Sequence, residues 1–299
     1  MDKKNIYIGM GGGYDIICAY MISQKYKDFN ADIGGWLNPK FVHYFEKKNG
    51  GYQNEKAINI VESTVLKYRR KIDGGHMPSP YQLVDGNLSQ LIKNKVVDFS
   101  ILKGNVESIV FYLESTYEKV IFCDVGGDIF FLGKKDNMVK TPIIDAMSLK
   151  ISSELCKKRK AMSFTLVLGI GFDGELPFEN INSNIAFLYD KKAVIYQDLI
   201  YDSDLNCLEE IYNLVRMGDE GKTIKLLIEV GKNEHMYSPL AIKRDVLLFS
   251  KWFGKILFCD STILSNFNPL VMKNTYEDML FKAHEMGISM ERYKLNGQD

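Results

Sequence analysis

The chain has 299 residues, 46% apolar and 25% charged, with 38 basic side chains balancing 38 acidic ones. That length supports one large α/β domain or two small ones. The zero net charge gives no reason to expect a nucleic-acid or anionic-membrane partner, so none is predicted.

Taken in chain order, Asn5 to Ile8 reads as a strand, followed by a glycine loop and a helix from about Asp15 to Lys25. The charged start Met1-Asp2-Lys3-Lys4 leads into an apolar stretch broken by glycines and an aspartate, which is not a signal-peptide core. Asp28 to Asp32 is turn-like, and Ile33 to Leu37 reads as a second strand stopped by Asn38-Pro39. Lys40 to Lys48 has helical character. Ile58 to Tyr68 is β-branched and extended, and Asp73 to Asn87, with three glycines and two prolines, is a long irregular loop. Val96 to Leu102 predicts a strand, Asn105 to Tyr117 a helix, and Lys119 to Asp124 a buried strand. Thr141-Pro142 supplies a hydroxyl cap and a first-turn proline for a helix whose Ile143, Ile144, Met147, Ile151 and Leu155 form its core face. Ser163 to Leu168 is the next strand, and Asn184 to Leu188 reads as strand or sheet edge. Helices follow at Tyr201 to Met217 and Thr223 to Val230. Arg244 to Phe253 is ambiguous; Lys255 to Asp260 is a last strand and Tyr276 to Met286 a last helix.

Strands alternating with helices predict an α/β fold, Rossmann-like, with a mainly parallel sheet and helices on both faces. With no fixed-period repeat and no low-complexity linker, residues 1–299 read as a single domain. No run approaches the roughly twenty apolar residues that span a bilayer. Five cysteines without close pair spacing argue against a disulfide framework or zinc knuckle, and reduced thiols predict a cytoplasmic location. His43, His76, His235 and His284 lie too far apart for a local metal motif. The clusters Lys47-Lys48, Arg69-Arg70-Lys71 and Lys157-Lys158-Arg159-Lys160 read as solvated helix faces or ends.

Three apolar runs end in glycines followed by aspartate: Gly9-Met10-Gly11-Gly12-Gly13-Tyr14-Asp15, Asp124-Val125-Gly126-Gly127-Asp128, and Gly169-Ile170-Gly171-Phe172-Asp173-Gly174-Glu175. Glycine at a strand end permits a sharp turn and close approach to a ligand, and open α/β sheets bind ligands beyond their strand carboxyl ends. The three loops are therefore expected on one rim. The dinucleotide fingerprint fails, because Tyr14 stands at its third glycine position and Asp32 precedes the second strand. A P-loop fails too, since Gly13 precedes tyrosine and aspartate instead of lysine and a hydroxyl.

Gly11, Gly12 and Gly13, with the following helix N-terminus, could receive a phosphate or carboxylate; Asp15 has the alternative reading of a helix cap. Asp15, Asp124, Asp128, Asp173 and Glu175 crowded together would repel and raise some of their pKa values. Three responses are open: a divalent cation, hydrogen bonds to sugar hydroxyls or a base, or a split into general acid and base. Asp145, on the first turn of the Thr141 helix, reads either as a dipole partner or as a rim residue. Tyr14 and Phe172 read as stacking or packing residues, and Cys123 as a core residue.

The motifs Gly11-Gly12-Gly13-Tyr14-Asp15, Asp124-Val125-Gly126-Gly127-Asp128, Pro142-Ile143-Ile144-Asp145-Ala146-Met147 and Gly169-Ile170-Gly171-Phe172-Asp173-Gly174-Glu175-Leu176 resemble those of the family called domain of unknown function 1152. Phe258-Cys259-Asp260 with Asn268-Pro269-Leu270 resembles its C-terminal signature, so the resemblance runs over about residues 5–275. It implies a Rossmann-like fold and a shared acidic, glycine-lined site, with no activity to carry over. The sequence reading is an enzyme hydrolysing or transferring groups on a nucleotide or another phosphorylated or sugar-bearing metabolite. Asp128, Asp173 and Glu175 are its catalytic candidates. Gly11, Gly12, Gly13, Tyr14, Asp15, Asp124, Gly126, Gly127, Asp145 and Gly171 are its ligand-binding candidates. A binding or sensor protein for a nucleotide-like ligand is the alternative. A small-molecule ligand is the expected partner, and homo-oligomerisation stays open.

Overall fold

The computed structural model describes residues 3–11, 14–36, 57–61, 65–68, 88, 92–99, 106–133, 142–158, 161–215, 221–232, 252 and 254–288. The elements in chain order are β1 (Lys4–Gly9), α1 (Asp15–Lys25), β2 (Asp32–Trp36), β3 (Ala57–Val61), β4 (Val65–Tyr68), β5 (Val96–Phe99), α2 (Val106–Thr116), β6 (Tyr117–Val125), a 3-10 turn (Asp128–Phe130), α3 (Pro142–Lys158), β7 (Met162–Leu168), α4 (Phe178–Asp190), β8 (Val194–Leu199), α5 (Asp202–Val215), α6 (Lys222–Gly231), β9 (Lys255–Cys259), α7 (Ser261–Ser265) and α8 (Tyr276–Glu285).

One nine-stranded mixed sheet has the order β3-β4-β5-β2-β1-β6-β7-β9-β8. Its centre, β5-β2-β1-β6-β7, is parallel throughout. Antiparallel pairs close both edges, β3 with β4 and β4 with β5 on one side, β7 with β9 and β9 with β8 on the other. The centre is covered by helices, so its strands are apolar on both faces: the adjacent residues Tyr7 and Ile8, Ile121 and Phe122, and Val167 and Leu168 are all buried. α1 packs against β1, β2, β6 and α5, while α3 packs against α2, β6, β7, α7 and α8. Among the described residues no helix is long and apolar enough to cross a membrane.

Most predicted elements stand within a residue or two of their predicted bounds, and the predicted core face of α3 is buried at all five positions. Residues 58–68, predicted as one extended segment, form two antiparallel strands. The predicted strand at 184–188 is a correction: it lies inside α4, whose buried Ile181, Ile185 and Leu188 have helical spacing. β8 is an edge strand, mostly exposed, so no apolar alternation announced it. The predicted helix at 40–48, the loop at 73–87, the Thr141 cap and nearly all of 244–253 lie outside the described residues.

Asp32 begins β2 and therefore lies at the amino end of the sheet. It is buried and accepts a 2.9 Å hydrogen bond from the Tyr117 hydroxyl, with Lys95 and Lys4 at 3.5 Å and 3.7 Å. Its role there is structural, away from the carboxyl rim. Its placement agrees with the failure of the dinucleotide reading.

Candidate functional site

Parallel pairing of β1 with β6 and of β6 with β7 puts the ends of all three glycine-terminated strands on the same rim. The exit of β1 is fixed from two sides. The Met10 N–H donates to the Cys123 carbonyl at 2.8 Å, and the Ser148 hydroxyl of α3 donates to the Met10 carbonyl at 2.9 Å. Gly9 is required at the turn, because a Cβ there would stand 2.5 Å from the Ile16 nitrogen. Asp15 is the first residue of α1, not its cap; the cap position is Tyr14, whose side chain makes no capping bond. The Asp15 carboxylate reaches back instead and accepts the Gly11 N–H at 2.7 Å.

At the end of β6, Gly126 and Gly127 both have positive φ, 120° and 92°, and turn the chain into the 3-10 turn that begins with Asp128. The loop after β7 is docked onto this turn: the Gly126 N–H donates to the Leu168 carbonyl, and the Gly171 N–H donates to the Gly126 carbonyl. Asp173 lies over Gly126, where a Cβ would stand 2.4 Å from its Oδ2, and its Oδ1 accepts the Glu175 N–H at 3.1 Å. From α3, Asp145 points toward the first loop, its Oδ1 lying 3.5 Å from where a Gly11 Cβ would be.

Asp124, Asp128 and Asp145 are buried, at 0%, 7% and 2% exposure; Asp15, Asp173 and Glu175 are half-buried. None of Asp15, Asp124, Asp128 and Asp145 joins an ion pair among the described residues. Burial is the first cause of the high pKa in all four, and carboxylate neighbours add to it. Asp15 is pushed up to about 7, with Asp173 and Glu175 raising it against the opposing Gly11 hydrogen bond. Asp124 is raised by burial and then by Asp128, Asp15 and Asp173. Asp128 is raised by burial, then by Asp145, Glu175, Asp173 and Asp15. Asp145 is raised by burial, Asp124, Asp15 and Glu175, and lowered by a hydrogen bond with Asp128. The charges that act on one another are thus those of the predicted rim.

Among the described residues, both Asp124 oxygens and the Asp145 Oδ1 receive no N–H or hydroxyl donor. The Asp128 carboxyl is in reach of both side chains, so those contacts are hydrogen bonds only when a proton is shared. One carboxylate oxygen from each of Asp15, Asp124 and Asp145 lies within 4.8 Å of the other two.

Other predicted residues have quieter places. The Tyr14 ring is buried, 5.9 Å from the Tyr212 ring of α5, and Phe172 is fully buried. Gly171 has φ 85° and shapes the β7 loop. Gly12 and Gly13 lie outside the described residues. The amide of Gly11 is committed to Asp15, so it is not a phosphate donor in this conformation. Ser148 was not foreseen. Its signal was its place one helical turn after Asp145, on the same side of α3.

These features define an α/β protein with an acidic, glycine-turned rim at its strand carboxyl ends. A family model described as a protein of unknown function (DUF1152) matches residues 52–241, well over half of the chain, and the chain belongs to that family. The matched span holds Asp124, Asp128, Asp145, Asp173 and Glu175, but not the first glycine loop or Asp15. No curated protein matches the chain, and no solved structure does.

Proposed function

We propose that the protein is an enzyme acting on a nucleotide or another phosphorylated or sugar-bearing metabolite by hydrolysis or group transfer at this rim. The observation that carries the reading is the gathering of Asp15, Asp124, Asp128 and Asp145, all with raised pKa values and no cationic partner among the described residues, beside Asp173 and Glu175. Carboxyls pushed above their ordinary range by burial and by one another suit general acid and base chemistry.

Strand order adds support. The parallel strands β5-β2-β1-β6-β7 run in the order 3-2-1-4-5 of a doubly wound, Rossmann-like sheet. Right-handed crossovers from β1 to β2 and from β6 to β7 run in opposite directions along the sheet, so they carry α1 and α3 on opposite faces. The order reverses between β1 and β6, where such folds take their ligand. Asp15 follows β1 and Asp124 closes β6, on either side of that crevice.

In hydrolysis, water adds across the scissile phosphoryl or glycosyl bond. An ionised carboxylate takes the proton of the attacking water, and a protonated carboxyl gives one to the leaving oxygen. In transfer, an acceptor hydroxyl replaces water. Asp128 and Asp173 take the acid/base or metal roles in this scheme; Asp15, Asp145 and Glu175 orient substrate hydroxyls or the metal. Thermal-shift screening over nucleotides and sugar phosphates, followed by product analysis of the hits, finds the substrate. Asp128→Ala and Asp173→Ala then abolish turnover while the fold, read by circular dichroism, persists. Full activity in both variants refutes the assignment.

The second reading is ligand binding without reaction. Stabilisation by a ligand with no product formed would select it.

A further inference from the structure

We propose that Asp15, Asp124 and Asp145 are the protein ligands of a hard divalent cation held between the β1 and β6 loops. The inference deepens the reading above by naming a cofactor for the same rim.

Two independent observations meet here. The first is geometric: the three ligand oxygens lie within 4.8 Å of one another. Oxygens on opposite sides of an ion are about 4.6–5.2 Å apart for calcium and about 4.0–4.2 Å apart for magnesium, from their usual bond lengths. The spacing lies within the span of a calcium coordination sphere, and the shorter bonds of a smaller ion such as magnesium draw the oxygens closer. The second is a set of unmet acceptors. Among the described residues, fully buried Asp124 has no N–H or hydroxyl donor to either oxygen, and Asp145, 2% exposed, has none to Oδ1; the Asp128 carboxyl in reach of both serves only by sharing a proton. A buried carboxylate without a donor is costly, and such groups are ordinarily paired or bound to metal.

The donor set fixes the class of ion. All three ligands are carboxylate oxygens, which suit magnesium, calcium or manganese over softer metals. The ligands come from three separate elements, α1, β6 and α3, whose mutual positions are pinned by the Ser148 to Met10 and Met10 to Cys123 hydrogen bonds. Asp128, beside Asp124 and Asp145, is the adjacent carboxyl that would act on a bound water or substrate.

The full-length chain, stripped with EDTA, is titrated with manganese, and free manganese is read by electron paramagnetic resonance. One ion per chain is expected, with a rise in melting temperature that calcium or magnesium reproduces. Asp124→Asn and Asp145→Asn each weaken uptake at least about tenfold, while Asp202→Asn, on the exposed first turn of α5, leaves it unchanged. No saturable uptake, or uptake unchanged in both Asn variants, overturns the proposal. Should those variants not fold, proton relaxation on the wild-type chain counts the waters on bound manganese. Three protein ligands leave about three of six positions to water; five or six waters overturn it. No substrate takes part, so failure here leaves the Asp128 and Asp173 turnover test intact, and the converse holds.

Discussion

Replacing Gly126 by alanine tests whether the β6 and β7 loops meet as described. Gly126 has φ 120°, a conformation that L side chains rarely adopt. A residue held there costs about 1–3 kcal/mol in backbone strain. The new Cβ would also stand 2.4 Å from Asp173 Oδ2, 2.6 Å from its Cγ and 2.8 Å from its Cβ. Rotation of χ1 relieves the first two contacts but not the third, because Cβ moves only with the backbone. Overpacking of this kind adds about 1–3 kcal/mol. The total is about 2–6 kcal/mol, measured as a fall in the free energy of denaturant unfolding. Asp173→Gly removes every clashing atom and leaves only the backbone part, so the double-mutant cycle should show a coupling of about 1–3 kcal/mol. A cost below about 1 kcal/mol, or the same cost in both backgrounds, would refute the placement of Asp173 over Gly126.

Asp15→Asn should change how stability depends on pH in metal-free buffer. The folded-state value is raised from 3.8 to about 7, so the folded protein keeps a proton that the unfolded chain releases above 3.8. Wild-type stability accordingly falls as pH rises from about 4 to about 7 and levels off above, a loss on the order of 4 kcal/mol at about 1.4 kcal/mol per unit. The variant keeps an acceptor for the Gly11 N–H and lacks this slope; parallel pH–stability curves would contradict the linkage. Thiol chemistry gives an independent check on the core. Cys18, Cys123 and Cys259 are buried, and burial raises their pKa values further. Alkylation of the native protein followed by peptide mass spectrometry should label only Cys156 and Cys207, the half-buried pair, with the other three appearing on unfolding. Rapid labelling of Cys123 would mean that β6 is not buried within the sheet.

Local chemistry made much of this protein readable. Strands β1, β6 and β7 are short apolar runs closed by glycine, and a strand buried on both faces leaves that mark wherever it pairs. The helix starting at Pro142 carries its apolar spacing and start signal in sequence. Failures occurred where the determining partner is distant. Asn184 to Leu188 looked like a strand in isolation, yet Ile181, Ile185 and Leu188 form one stripe once α4 is seated. β8 has little pattern because an edge strand is held by its pairing to β9, a strand some sixty residues later in the chain.

The candidate site divides in the same way. Aspartates next to glycine turns named Asp15, Asp124, Asp128 and Asp173 in advance, since a glycine turn at a strand end and an adjacent acid are both local facts. Distances were not local. That Asp145 of α3 meets Asp15 across the β1 loop, that Ser148 fastens Met10, and that Asp124 is buried without a donor depend on the parallel register of β1 with β6 and on the packing of α3. Sequence determined which residue types stand at strand ends, because turn geometry and alternation act over a few residues. Tertiary structure alone decided which carboxylates share a charge environment, because that follows from crossovers that join segments more than a hundred residues apart.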